Sequence, residues 1–223
     1  MKQIGLDTRL QDRSEAGMLL CKKLAAYSNN SDVVVVGLPH GGVCVASAIA
    51  DCLSLSLEVM PCRIIKNPGS IDDNIGSVSA DDVFMHDCPY TLPQDYIYHQ
   101  IALLRNAIAF ENKSYYGNGK PASFKNKTVI LVDDIVKSSD CMMTCIRGIK
   151  KQDPLKVIVA VSFVSREAAR ILSAEVDEVV FLEMKHSTES PNDLFIDFPK
   201  VDEEKVKEIL MASRRKTPKP YKK

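Results

Sequence analysis

Apolar positions along this chain follow two alternating patterns. Short unbroken runs come first: Val33–Val36 is four consecutive valines, and Thr128–Val132, Lys156–Ser165 and Glu178–Met184 are similar. A β-branched run without alternation fits a strand buried on both faces, as in a parallel sheet. "LEVMPCRII", Leu57–Ile65, reads as one further strand closed by Lys66–Gly69. Between these runs, apolar residues recur at helical spacing in Glu15–Tyr27, Val43–Leu53, Pro93–Gly117, Cys141–Lys151 and Arg166–Val176. A short helix follows from about Asp202. "NIGSVSADDVFMHDCP", Asn74–Pro89, predicts a hairpin turning at Ala80–Asp82. Strands alternating with helices predict an α/β fold: a mostly parallel twisted sheet with helices on both faces. We expect one domain over residues 1–212. The segment 213–223 is basic, proline-containing and aperiodic, and is expected to be a disordered tail.

Composition narrows the function classes. Lys plus Arg and Asp plus Glu are both 29, so the body of the chain has no general attraction for nucleic acid or membrane, and only the basic tail offers one. No apolar run approaches the ~20 residues of a membrane helix. The polar, acidic start is unlike a secretory leader, so a cytoplasmic protein is expected. Seven cysteines without a CxxC pair argue against a disulfide framework and against a common zinc site. They are expected to be small buried residues in a reducing compartment.

Candidate chemistry concentrates in "TVILVDDIVKSSDCMMTCIRGIK", Thr128–Lys150. A buried strand ends there on Asp133 and Asp134, at the strand end where ligands of open parallel sheets gather. Adjacent carboxylates repel, and cations or hydroxyl donors settle them. A ribose ring with Mg²⁺ supplies both. Lys137, Ser138, Ser139 and Asp140 then lead into a helix N-terminus, where backbone N–H groups and the helix dipole favour a phosphate. The same residues also fit an ordinary helix cap and turn.

This stretch resembles the binding signature of the type I phosphoribosyltransferases, which bind phosphoribosyl pyrophosphate (PRPP). Val129 to Val136 match its four hydrophobics, two acids and two hydrophobics. The resemblance extends through "LQDRSEAG", "VVVVGLPHGGVCVASAIA", "NIGSVSADD" and "DLFIDFPKVDEEKV", from Leu10 to about Leu210. It implies that Asp133 and Asp134 meet the ribose hydroxyls, directly or through Mg²⁺. Lys137, Ser138, Ser139, Asp140 and Cys141 would hold the 5′-phosphate. Three of these depart from the pattern: Lys137 stands where a small residue or aspartate is usual, Ser139 for Gly, and Cys141 for Thr or Ser. If Ser139 needs a positive φ, it costs ~1 kcal/mol or more. Cys141 offers only a weak S–H donor.

A second loop, "GLPHGG", resembles the pyrophosphate loop of that family. His40, Gly41 and Gly42 would cradle the anion, with His40 in place of an arginine. Arginine is always charged, whereas histidine is largely neutral at pH 7, so weaker and pH-dependent pyrophosphate binding is expected. Arg63, at the next strand, matches a basic position of the family, though it also suits an ordinary solvated loop. The resemblance implies transfer of a phosphoribosyl group to a nitrogenous base, with Mg²⁺ as cofactor and PRPP or a nucleotide as partner. It further implies a homodimer, as in many relatives, and an acceptor hood, here from residues 71–93 and 186–200. No residue stands out as general base. The alternative is a catalytically inactive member that senses a nucleotide or ribose phosphate.

Overall fold

The computed structural model describes residues 9–86, 92–185 and 189–216, the side chains of Ile71 and Asp72 excepted. Its centre is a five-stranded parallel sheet in the order β2–β1–β6–β7–β8. The strands are β1 (Val33–Gly37), β2 (Ser56–Val59), β6 (Thr128–Val136), β7 (Lys156–Ser165) and β8 (Glu178–Lys185). The valine run is buried on both faces, as its lack of alternation requires. Helices α1 (Arg13–Lys23), α2 (Gly41–Leu53) and α7 (Glu203–Lys216) share one apolar core with Ile130 and Val132 of β6. Helices α4 (Asp140–Lys150) and α5 (Arg166–Glu175) cover the other face, against Val129 and Leu131. Strand β1 lies between β2 and β6, so strand order reverses at the β1–β6 pair. That switch point is where an open α/β sheet leaves a crevice. Among the described residues no helix is long and apolar enough to cross a membrane.

The structure corrects three sequence expectations. First, "LEVMPCRII" is two strands in two sheets. The chain leaves the parallel sheet after Val59, passes Met60-Pro61, and enters β3 (Cys62–Asn67). Proline removes a backbone donor, which suits such a break. Strand β3 pairs antiparallel with β4 (Ser70–Ser79), which pairs with β5 (Val83–Met85). The hairpin at Ala80–Asp82 is therefore present but belongs to a separate three-stranded sheet. Ile65, Ile75 and Val78 pack it against Ile108 of the long helix α3 (Gln94–Tyr116).

Second, the basic segment is not a free tail from residue 213. Helix α7 runs to Lys216. Arg214 donates to the Tyr115 carbonyl at 3.0 Å and lies 4.6 Å from the Tyr116 ring centroid. Lys216 pairs with Asp51 at 2.8 Å. Basic residues in a last helical turn also complement the dipole. The rest of that segment, 217–223, lies outside the described residues, as do 87–91 and 186–188 of the expected hood.

Third, Cys21 of α1 and Cys52 of α2 form a disulfide. The two helices pack closely enough that a Cβ on Gly17 would stand 2.5 Å from that of Ala48. Their crossing unites cysteines 31 residues apart, a pairing invisible in local spacing. Cys44, Cys62, Cys141 and Cys145 are free thiols, as expected, and Cys88 lies outside the described residues.

Candidate functional site

Strand β6 carries its apolar run straight into Asp133 and Asp134, at the switch point. The glycine-rich loop between β1 and α2 closes over them. A Cβ on Gly42 would come within 2.7 Å of Asp133 Oδ1 and 2.8 Å of the Val132 carbonyl. One on Gly41 would overlap Asp134 Oδ2 and stand 2.7 Å from its Cγ. The two glycines are there because the acidic pair needs the space. His40, half-buried, precedes α2, and the Pro39–His40 peptide is cis. Burial lowers the His40 pKa below its ordinary value, and the nearby Arg63 guanidinium adds to this. His40 is thus neutral at pH 7, as the sequence suggested, and more firmly so.

The two aspartates differ sharply. Asp134 is buried and forms an ion pair with Arg13 of α1, Nε to Oδ2 at 2.7 Å. Its Oδ1 accepts the Ile135 N–H at 2.8 Å. Asp133 has no such cation partner among the described residues; its Oδ1 accepts the Asp134 N–H at 2.9 Å. Burial, and then the neighbouring Asp134 charge, push the Asp133 carboxyl well above the usual range.

Arg13 was not expected from the sequence. The helix expected from Glu15 begins at Arg13, and Asp12 caps it by accepting the Glu15 N–H at 2.8 Å. That local pattern says nothing of the guanidinium's reach. Arg13 also donates to the Pro199 carbonyl at 2.8 Å and lies 3.6 Å from the Phe198 ring centroid. Phe198 in turn stacks on Phe195 at 5.0 Å. The backbone is stitched there too: Ile196 N–H donates to the Leu10 carbonyl and Asp197 N–H to that of Gln11.

Beyond the acidic pair the chain turns at Lys137, Ser138 and Ser139 into α4. Ser165 Oγ fixes the loop by donating to the Lys137 carbonyl at 2.9 Å. Ser139 has φ −80°, so serine in place of glycine costs no left-handed strain, contrary to the expectation from residue type. The small sheet pins the first turn of α4. Ser77 of β4 donates to the Asp140 carbonyl at 2.8 Å and contacts Thr144 Oγ1. Asp140 is buried, with Oδ1 3.1 Å from His86 Nε2. Cys141 lies in that first turn, where a hydrogen bond with Cys62 and burial push its thiol up, so it is no thiolate at neutral pH.

Asp134, Lys137, Ser138, Asp140 and Cys141 line one cavity of about 400 Å³, with Ile64, Ile135, Pro191 and Phe198 as its other walls. The structure thus gathers one of the two acids and most of the phosphate-loop candidates. Asp133, Ser139, His40, Gly41, Gly42 and Arg63 are not among that cavity's walls. The two glycines do abut the acids. Arg63 is ion-paired with Glu111 of α3, a buried residue whose Oε2 has no hydrogen-bond partner among the described residues.

A family model described as phosphoribosyl transferase domain matches residues 10–198. The crystal structure of TT1426 from Thermus thermophilus is similar, with 31% sequence identity and a TM-score of 0.75, covering 92% of this chain and 99% of that one. Two Mycobacterium tuberculosis proteins named as phosphoribosyl transferases are 39% identical over 72 residues, 32% of this chain. The match spans only 16% of the length of each of these curated relatives.

Proposed function

Since the chain belongs to the phosphoribosyl transferase domain family, we propose that it binds PRPP or a related ribose 5-phosphate ester and transfers the phosphoribosyl group to a nitrogenous base, releasing pyrophosphate. The observation that carries this reading is the cavity joining Asp134 to Lys137, Ser138 and the first turn of α4. It sets a carboxylate for ribose hydroxyls beside a helix N-terminus for a phosphate. Asp133 and Asp134 meet the ribose, the loop Lys137–Cys141 takes the 5′-phosphate, and His40, Gly41 and Gly42 take the pyrophosphate. Displacement at the anomeric carbon passes through an oxocarbenium-like state, so positioning and charge stabilisation do most of the catalysis.

The donor set fits a Mg²⁺ ion that keeps mostly substrate oxygens. No cluster of three or more metal-ligating side chains exists among the described residues. Two adjacent carboxylates do, and Asp133 is the one whose charge a divalent cation would settle. Bound there with substrate, Mg²⁺ would offset phosphate charge. The hood is assigned to 71–93 and 186–200.

A second reading, ligand binding without turnover, is favoured by one observation: Arg63, which matches a basic position of the family, is already paired with buried Glu111. Incubation with PRPP, Mg²⁺ and a panel of purine and pyrimidine bases separates the two. Pyrophosphate release that Asp134→Asn abolishes supports transfer. Binding with no release across the panel supports the second reading.

A further inference from the structure

The geometry points to Arg13 as the positioning residue of the ribose pocket, one that orients Asp134 and ties it to the segment Phe195–Pro199. This inference rests on the ribose-phosphate reading and adds to it a residue outside both phosphate loops.

Three contacts meet at one guanidinium, and a fourth residue leaves room for it. Nε donates to Asp134 Oδ2 at 2.7 Å, and a terminal nitrogen to the Pro199 carbonyl at 2.8 Å. Its face rests on Phe198, a wall of the cavity that Asp134 also lines. The fourth neighbour is Gly41, where a Cβ would stand 2.8 Å from Arg13 Nε. The arrangement is enclosed, with only 9% and 12% of the Arg13 and Asp134 side chains exposed. A solvated surface pair would leave both side chains free to rotate. Here the planar fork is held on several sides, a geometry lysine cannot reproduce.

The pair leaves the carboxylate usable. An ionised carboxylate has about four acceptor sites on its two oxygens. Asp134 spends one on the Ile135 N–H and one on Arg13. Acceptor capacity remains on the carboxylate for a hydroxyl donor entering the cavity that Asp134 lines. Without Arg13, Asp134 would lose the contact that fixes its rotamer, beside a second acid that repels it. The phosphate half of the cavity has different supports, Ser165 and Ser77, and does not depend on Arg13. Arg13 therefore matters to the sugar and not to the phosphate.

That separation supplies the test. Calorimetry with Mg²⁺ present compares ribose 5-phosphate with inorganic phosphate on the natural protein, Arg13→Gln and Arg13→Lys. The natural protein should prefer ribose 5-phosphate by about tenfold or more, the worth of one hydrogen bond to a charged group. Arg13→Gln should lose that margin while binding phosphate as before, and Arg13→Lys should recover part of it. A natural margin retained in Arg13→Gln overturns the role of Arg13 and leaves the ribose-phosphate reading standing. No margin in the natural protein overturns the ribose-phosphate reading itself. Loss of both ligands in both variants makes Arg13 a support of the fold alone, which also overturns the proposal.

Discussion

Asp133→Asn and Asp134→Asn change neighbouring residues by the same atom, yet they should shift the stability of the unliganded protein in opposite directions. Asp134→Asn removes the anion that neutralises a buried arginine. Breaking one side of a buried pair costs ~3–5 kcal/mol. Asn keeps an oxygen for the Arg13 Nε–H, and Arg13 keeps Phe198 and Pro199, so the cost falls at or just below the low end of that range, about 2–3 kcal/mol. In a chain of this size that lowers Tm by roughly 5–10 °C. Asp133→Asn removes a carboxyl whose ionisation burial and Asp134 oppose. For an acid whose folded pKa is raised, stability is full below the unfolded pKa near 4 and falls as pH rises toward the folded value. At pH 7, above the unfolded pKa, the natural protein has lost part of that stability, so Asp133→Asn should gain on the order of 1 kcal/mol. Its stability should also decline less between pH 5 and pH 7. Thermal denaturation of both variants and the natural protein over that range is the assay. Equal destabilisation by the two substitutions would refute the unequal division of charge within the pair.

Other consequences are simpler. Gly41→Ala should cost ~1–3 kcal/mol by driving a methyl into the Asp134 carboxylate, read as a lower Tm. Ser139→Gly should not tighten phosphate binding, since Ser139 is unstrained, and should cost up to ~1 kcal/mol in denaturant titrations. Burial holds the folded pKa of His40 below its ordinary value, so bound pyrophosphate should raise it and draw in a proton on the acid side of neutrality, visible as buffer-dependent binding enthalpy. His40→Arg should remove that proton uptake and strengthen binding. Reducing Cys21–Cys52 should lower stability by ~2–4 kcal/mol, measured as the Tm difference with and without a thiol reductant.

The parallel sheet was legible because its strands are buried on both faces, and such strands announce themselves as unbroken apolar runs. The acidic pair was legible because carboxylates at the end of such a run are costly without a purpose. What escaped were features made by chain crossings. Leu57–Ile65 looks continuous, and only the partition into two sheets shows why Met60-Pro61 divides it. Cys21 and Cys52 meet because α1 lies on α2. Arg13, 121 residues before Asp134, carries no local mark of its partner. Ser139 misled for another reason: residue type alone suggested a positive φ, whereas the backbone there is near the helical region.

The most direct test of the central claim is calorimetric titration of the natural protein and Asp134→Asn with ribose 5-phosphate, in the presence of Mg²⁺ and inorganic phosphate as competitor. The expected result is saturable, one-site binding to the natural protein, displaced by phosphate and weakened at least about tenfold in the variant. Absence of binding at millimolar ligand, or equal affinity in the two proteins, would contradict a sugar-phosphate site at the end of β6.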